Sequence, residues 1–147
     1  MASGYYNSFY TNLLKGEFNF HTGGDTFKVA LLTSGYSFDE TAKDTHQAYD
    51  DLTNEVVGTG YTAGGATISN TVVVESSALN KAYVDGDDPS WPSSTITARG
   101  ASVYKDSGVP STSWLVRYID FGSDQSTSGT EFKLAWSASG VIDLTGA

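Results

Sequence analysis

Trp114-Leu-Val-Arg-Tyr-Ile-Asp-Phe121, followed by Phe132-Lys-Leu-Ala-Trp136, decides the fold. The first stretch is rich in the branched and aromatic residues that suit a pleated, half-buried surface. In the second, Phe132, Leu134 and Trp136 alternate with Lys133 and Ala135, a period of two that buries one face. Both read as strands, with Trp114 and Trp136 among the core residues.

Outward from this pair the punctuation is regular. Thr95 to Tyr104 is a further strand, with Ile96, Ala98, Gly100, Ser102 and Tyr104 on one side and Thr95, Thr97, Arg99, Ala101 and Val103 on the other. Gly108-Val-Pro110 turns the chain into Trp114. After Ser139-Gly140, Val141 to Leu144 is a closing strand. Upstream, Thr26-Phe-Lys-Val-Ala-Leu-Leu-Thr33 is a compact apolar run that ends at Ser34-Gly35, the pattern of a buried strand. Glu55 to Gly58 is a short strand, Ala66 to Glu75 a longer one, and Leu79 to Val84 its hairpin partner, ended by Asp85-Gly86-Asp87-Asp88-Pro89. Gly58-Thr-Gly-Tyr-Thr-Ala-Gly-Gly65 breaks any regular element and predicts a bend, with at least one of Gly58, Gly60, Gly64 and Gly65 at positive φ.

Two segments do not fit a strand. In Gly4 to Lys15, Tyr6, Phe9, Tyr10 and Leu13 recur at spacings of three and four, predicting a helix capped by Ser3 and stopped by Gly16. A helix this short must dock to persist. The polar stretch from Tyr36 to Asn54 predicts a long surface loop with one helical turn near His46 to Leu52. The sum is an all-β chain: an antiparallel β-sandwich or barrel of about eight strands with one short N-terminal helix, forming a single domain over 1–147.

The composition supports this and removes several functions. Aromatic residues make up 13% of the chain and glycine occurs 16 times, supplying a ring-rich core and many turns. Eight Lys plus Arg against 17 Asp plus Glu leave a formal charge of −9, which repels phosphate and argues against nucleic acid as partner. Without cysteine there is neither disulfide nor thiolate metal site. No apolar run approaches the roughly 20 residues of a membrane helix, and the N-terminus lacks the basic and apolar regions of a secretory signal.

Catalysis needs a nucleophile with its base, paired carboxylates or a metal. His21 and His46 are the only imidazoles. His46 lies among Asp44, Asp50 and Asp51, but without the ordered ligand spacing of a helix–loop–helix calcium site. Asp85-Gly86-Asp87-Asp88 has the residues that a turn before Pro89 contains in any case. The glycine stretch lacks the Lys-Ser/Thr of a phosphate-binding loop and precedes a strand. The expectation is a non-enzyme, with no catalytic residue, metal ligand or cofactor. Trp91, between Pro89 and Pro92 in a loop, is the tryptophan expected to be exposed. It opens a second reading, a glycan-binding β module with an aromatic platform.

Lys28-Val-Ala-Leu-Leu-Thr33, the Gly58–Ala66 stretch, Tyr118-Ile-Asp-Phe-Gly122, Gly129-Thr-Glu-Phe132 and Gly140-Val-Ile-Asp-Leu144 together resemble a family of small virion structural proteins of tailed bacteriophages. The opening Tyr-Asn-Ser-Phe and His46…Tyr49-Asp-Asp-Leu52 are similar as well, while Asp85 to Ser93 departs as a local insertion. The resemblance implies a capsid decoration (cement) protein, or else a tail or neck component, made in the host cell cytoplasm and located in the virion. It implies the major capsid protein as partner, and copies of itself in a homotrimer, with no nucleic acid or membrane partner. On this reading residues 1–16 are a contact arm, the competing reading being that their aromatic face packs on the sandwich itself, and Tyr5, Tyr6, Phe9, Tyr10 and Trp91 are the contact residues.

Overall fold

In the computed structural model, which describes residues 2–145, ten strands are joined by two short α-helices and two single 3-10 turns. Five strands form the main sheet: β1 (Gly4–Tyr5), β2 (Thr26–Leu32), β3 (Ala66–Thr67), β7 (Thr97–Asp106) and β8 (Leu115–Ser126). Their order is β1-β8-β7-β2-β3, and every pairing is antiparallel. A three-stranded sheet contains β4 (Val72–Ser76), β5 (Lys81–Asp85) and β10 (Ile142–Thr145), in the order β10-β5-β4. A two-stranded sheet pairs β6 (Ser90–Ser94) with β9 (Thr130–Lys133).

These sheets enclose the larger of two cores. Val29, Leu31, Ala101, Val103 and Val116 of the main sheet meet Val84 and Ile142 of the three-stranded sheet, with Trp91 and Phe132 of the two-stranded one. The architecture is therefore an all-β antiparallel sandwich with a short helix at its N-terminus. A smaller core lies on the other face of the main sheet, built by Tyr6, Ala30, Leu32, Tyr36, Phe38, Tyr104, Leu115 and Tyr118. Register separates the two: the ladder Ala30–Ser102–Tyr118–Gly4 and the neighbouring ladder Val29–Val103–Arg117–Tyr5 turn their side chains opposite ways.

The segment 36–54 is the cover of this second core, not the polar surface loop its composition predicts. It contains α2 (Glu40–Thr45), whose cap is the Asp39 carboxylate accepting from Ala42 N at 2.9 Å, and a 3-10 turn at Tyr49–Asp51. Four of its apolar residues, Tyr36, Phe38, Ala42 and Ala48, are buried, and Tyr49 and Leu52 pack half-buried against the same core. The 3-10 turn falls inside the range His46 to Leu52 expected for a helical turn.

Other boundaries differ for local reasons. Residues 66–75 divide into β3 and β4, which belong to different sheets, because Asn70 at φ 53° turns the chain between them. Glu55 makes only an isolated bridge to Leu32. Ser90–Ser94 is a strand although Pro92 lies within it; the register slips between Trp91 and Ser94, and Ser93 sits at φ 52°. Helix α1 (Asn7–Leu14) begins later than the spacing predicts, since Gly4–Tyr5 pairs with β8. Ser3 is not its cap: its hydroxyl accepts from Asp120 N at 2.8 Å. Gly16, at φ 77°, ends it as expected. Trp114 and Trp136 are half-buried at the margins instead of in the cores, and Trp136 donates through Nε1 to Asp87 O at 3.0 Å.

In the glycine bend, Gly60, Gly64 and Gly65 all have positive φ, at 82°, 93° and 73°. Gly65 carries the tighter constraint, because a Cβ there would overlap the Val29 carbonyl oxygen of β2. At Gly64 the nearest atoms would be the ends of the Lys28 and Tyr104 side chains, each at 3.3 Å. Gly65→Ala should therefore cost upwards of about 3 kcal/mol, and Gly64→Ala only about 1, the strain of its backbone region. Urea unfolding of the two variants checks the order.

Candidate functional site

The five expected contact residues fall in different environments. Tyr6 and Phe9 are wholly buried, Tyr6 in the second core and Phe9 in the larger one. Tyr5 is half-buried, stacked on Phe9 at 5.2 Å between ring centres, with the Arg117 guanidinium 5.3 Å from its own. Its hydroxyl faces Asp143 of β10, accepting from the backbone N at 2.9 Å and lying 3.1 Å from Oδ1. The first sixteen residues are thus built into the domain as far as the structure describes them and are not a free arm, because their apolar face has cores of its own to fill. Tyr10, 48% exposed, is the member of the set left open to solvent. Trp91 is not exposed in a loop: β6 carries it into the larger core, 5.8 Å from the Tyr61 ring and 5.9 Å from Phe132.

Two hydrogen-bonded tyrosine networks occupy the place where chemistry was sought. In the second core, Tyr6 Oη lies 3.1 Å from Ser102 Oγ and 3.0 Å from Tyr36 Oη, and Tyr36 Oη lies 2.9 Å from His46 Nδ1. A line of polar groups thus runs from the middle of β7 to the rim, where His46 ends it. Burial, together with the neighbouring Tyr36 hydroxyl, pushes the Tyr6 phenol well above its ordinary range. Burial also raises Tyr36 to about 12.

The second network centres on Glu55. Its Oε2 accepts from Tyr49 at 2.6 Å, and its Oε1 accepts from Tyr61 at 2.6 Å and from Gly64 N at 2.7 Å. Tyr61 Oη accepts in turn from Leu31 N of β2, and Tyr104 donates to Gly64 O. One carboxylate thereby fastens the glycine bend and the 49–55 segment to the main sheet. Burial first, then the Glu55 carboxylate, raises the phenols of Tyr49 and Tyr61. Sequence reading missed Glu55 because it lay in an expected strand; an acid near a tyrosine fenced by glycines was the available signal.

The acidic residues are used similarly. Asp51 Oδ2 accepts from Gln47 N and Ala48 N, and Asp44 from Asn7. Asp85 accepts from Gly86 N, Asp87 from Asn70 and Asp88 from Trp136 N. Among the described residues, no group of three or more His, Asp and Glu is placed to hold a metal ion. The arrangement ties neighbouring segments of the chain together.

The second core also contains a contrast. Tyr118 Oη is buried with no hydrogen-bond partner among the described residues, pressed against Gly100. A buried hydroxyl in that state costs free energy, while one inside a bonded line leaves orphans when removed. Tyr118→Phe should therefore be neutral or stabilising, and Tyr6→Phe should cost about 1–3 kcal/mol; equilibrium denaturation separates them. Alkali tests the whole set. Unfolded tyrosines ionise near 10.0, whereas folded Tyr36 and Tyr118 keep their protons to about 12. Between those values the unfolded chain holds fewer protons, so stability is whole below pH 10 and falls as pH rises toward 12. Melting temperature and tyrosinate absorbance should show unfolding and ionisation arriving together.

No family model, no curated protein and no solved structure matches this chain.

Proposed function

We propose that this chain is a structural contact protein of a bacteriophage particle, in first place a decoration protein that binds the assembled capsid shell and stabilises it. The observation that carries this reading is how the polar groups are used. His46 and the carboxylates of Asp44, Asp51, Glu55, Asp85, Asp87 and Asp88 all bond within the chain, and they hold backbone segments together. The two imidazoles lie apart in use as well, since His21 Nδ1 sits 2.8 Å from its neighbour's carbonyl, Thr22 O. What remains for function is a rigid, ring-filled scaffold with an acidic surface, suited to contact. The resemblance to small virion proteins supplies the setting, with the major capsid protein as the partner and threefold copies of this chain as the bound form. The glycan-binding alternative loses its platform with Trp91 in the core, whereas a tail or neck position uses the same scaffold equally well.

Such a protein stabilises a shell by mass action, because it binds assembled subunits and not loose ones. Repeated weak contacts then add through avidity without any chemistry. Purified chain added to shells that lack it should bind saturably and raise their rupture temperature, and imaging should place its density where capsid subunits meet. Density at the neck or tail selects the second position; absence of binding to any part of the particle refutes the proposal.

A further inference from the structure

Sheet edges invite strand addition, and the edges of the two larger sheets differ in what they offer. The main sheet ends in β1 and β3, each two residues long. The outer edge of β10 is capped by Tyr5, whose hydroxyl takes Asp143 N at 2.9 Å and reaches Asp143 O at 3.2 Å. β4 is different: Val-Val-Val-Glu-Ser, paired with β5 on one side alone.

Register says which groups it offers. Val141 N donates to Val84 O at 2.8 Å, so the backbone groups of Val84 turn toward β10. Its β4 partner is Val73. In an antiparallel ladder such a pair is the non-hydrogen-bonded kind, and Val73 points its own N–H and C=O away from β5. Glu75 follows by alternation, as does Thr71 on the N-terminal side. Thr71 O is already taken by the Thr22 hydroxyl at 3.2 Å. The N–H and C=O of Val73 and Glu75 are taken by no described residue.

Side chains and charge add the specificity. Val73 is 52% exposed and Leu144, on the same face, 47%. Beside them an apolar crevice of about 100 Å³ opens, with Leu13, Phe20 and Ala82 in its lining. An added strand would present alternate side chains to that face. The three-stranded sheet contains four charged residues, Glu75, Lys81, Asp85 and Asp143. Lys81 is engaged by Asp143 at 3.8 Å and by Ser139 at 2.6 Å. Glu75 and Asp85, near the two ends of the β4 edge and on opposite faces by register, form no ion pair among the described residues.

We infer that the outer edge of β4 accepts an extended segment of a partner protein as an added strand, one that alternates apolar residues between basic ends. A second copy of this chain fits less well, because an antiparallel β4–β4 pairing would bring one Glu75 close to the other on the same face. The inference stands apart from the particle reading: it holds for any partner with such a segment, and its test uses no particle.

The probe is a synthetic peptide of alternating Val and Thr with Lys at both ends, compared with its Glu-ended counterpart. Amide exchange followed by NMR should slow at Val73 and Glu75 when the Lys-ended peptide is added, and not with the Glu-ended one. Val73→Pro removes an outward N–H while leaving the bonds to β5, a change that edge strands tolerate. It should weaken the peptide at least roughly tenfold. Glu75→Lys should shift the preference toward the Glu-ended peptide, a readout that does not depend on the proline variant folding. No slowing with the Lys-ended peptide, equal slowing with both, or undiminished binding to Val73→Pro would overturn the inference. Slowing that grows with protein concentration and needs no peptide would assign the edge to a second copy and overturn it too.

Discussion

Burial on both faces of β7 is the constraint from which the rest of this structure follows. From Ala98 to Tyr104 nearly every residue is closed to water, and Arg99, the exception, is half-buried. Antiparallel sheets commonly leave one face wet. A chain that wets neither must find two covers, and here they come from distant places. The small sheets cover one side, and the N-terminal residues with the 36–54 segment cover the other. That second cover has little regular structure, so it is tied down point by point. Tyr49 N donates to Ser113 O, Leu115 N to Gln47 O and Thr33 N to Asn54 O, fastening the later half of the segment to the start of β8 and the end of β2.

The two cores solve packing in different ways. The larger is mostly aliphatic residues and phenylalanines, which need only volume and shape. The smaller relies on tyrosines, each bringing a hydroxyl that must be satisfied or paid for in stability. Ser102, buried in mid-strand, would be a liability beside Leu or Phe; beside Tyr6 it becomes the inner end of a bonded line. Such a line fixes the relative positions of β7, the N-terminal residues and the 36–54 cover more narrowly than apolar contact can, because hydrogen bonds constrain direction as well as distance. Glu55 performs the corresponding service for the glycine bend, and one residue accepting three donors makes that loop a rigid part of the sandwich.

How much of this was legible follows from which signals are local. Strands β2, β7 and the first half of β8 could be read at once, because their runs are dense in apolar residues that the fold buries. The hairpin of β4 and β5 was legible from branched residues on either side of a polar turn. The cover over the second core was not, since six apolar residues scattered among thirteen polar ones leave no period to detect. Nor was Trp91: proline on either side is ordinarily a loop signal, and only the pairing of Ser90 with Lys133 and Trp91 with Phe132 turns that stretch into a strand. The contact set was read from the aromatic spacing of the N-terminal residues, which reports a buried face and cannot say whether that face is buried at home or against a neighbour. Tyr6 and Phe9 answer it: their rings are spent inside the domain.

The same accounting applied to charge shows what is left to meet another molecule. Six of the eight cations lie within ion-pair distance of a carboxylate, and a seventh, Arg117, is held between the Tyr5 ring and Val141 O. Pairs near the surface of a protein typically add little stability, and these matter here for the field they leave behind. With the cations neutralised locally, the excess of acid is what an approaching partner senses at the range of a Debye length. A field of one sign speeds encounter with basic surfaces and disfavours acidic ones before any contact forms. Specificity must then come at short range, from features that charge does not supply: a strand edge with free backbone groups, or an apolar crevice of fixed shape. A scaffold whose polar groups are bound to its own backbone keeps those short-range features rigid, and a rigid surface loses little entropy when a partner arrives.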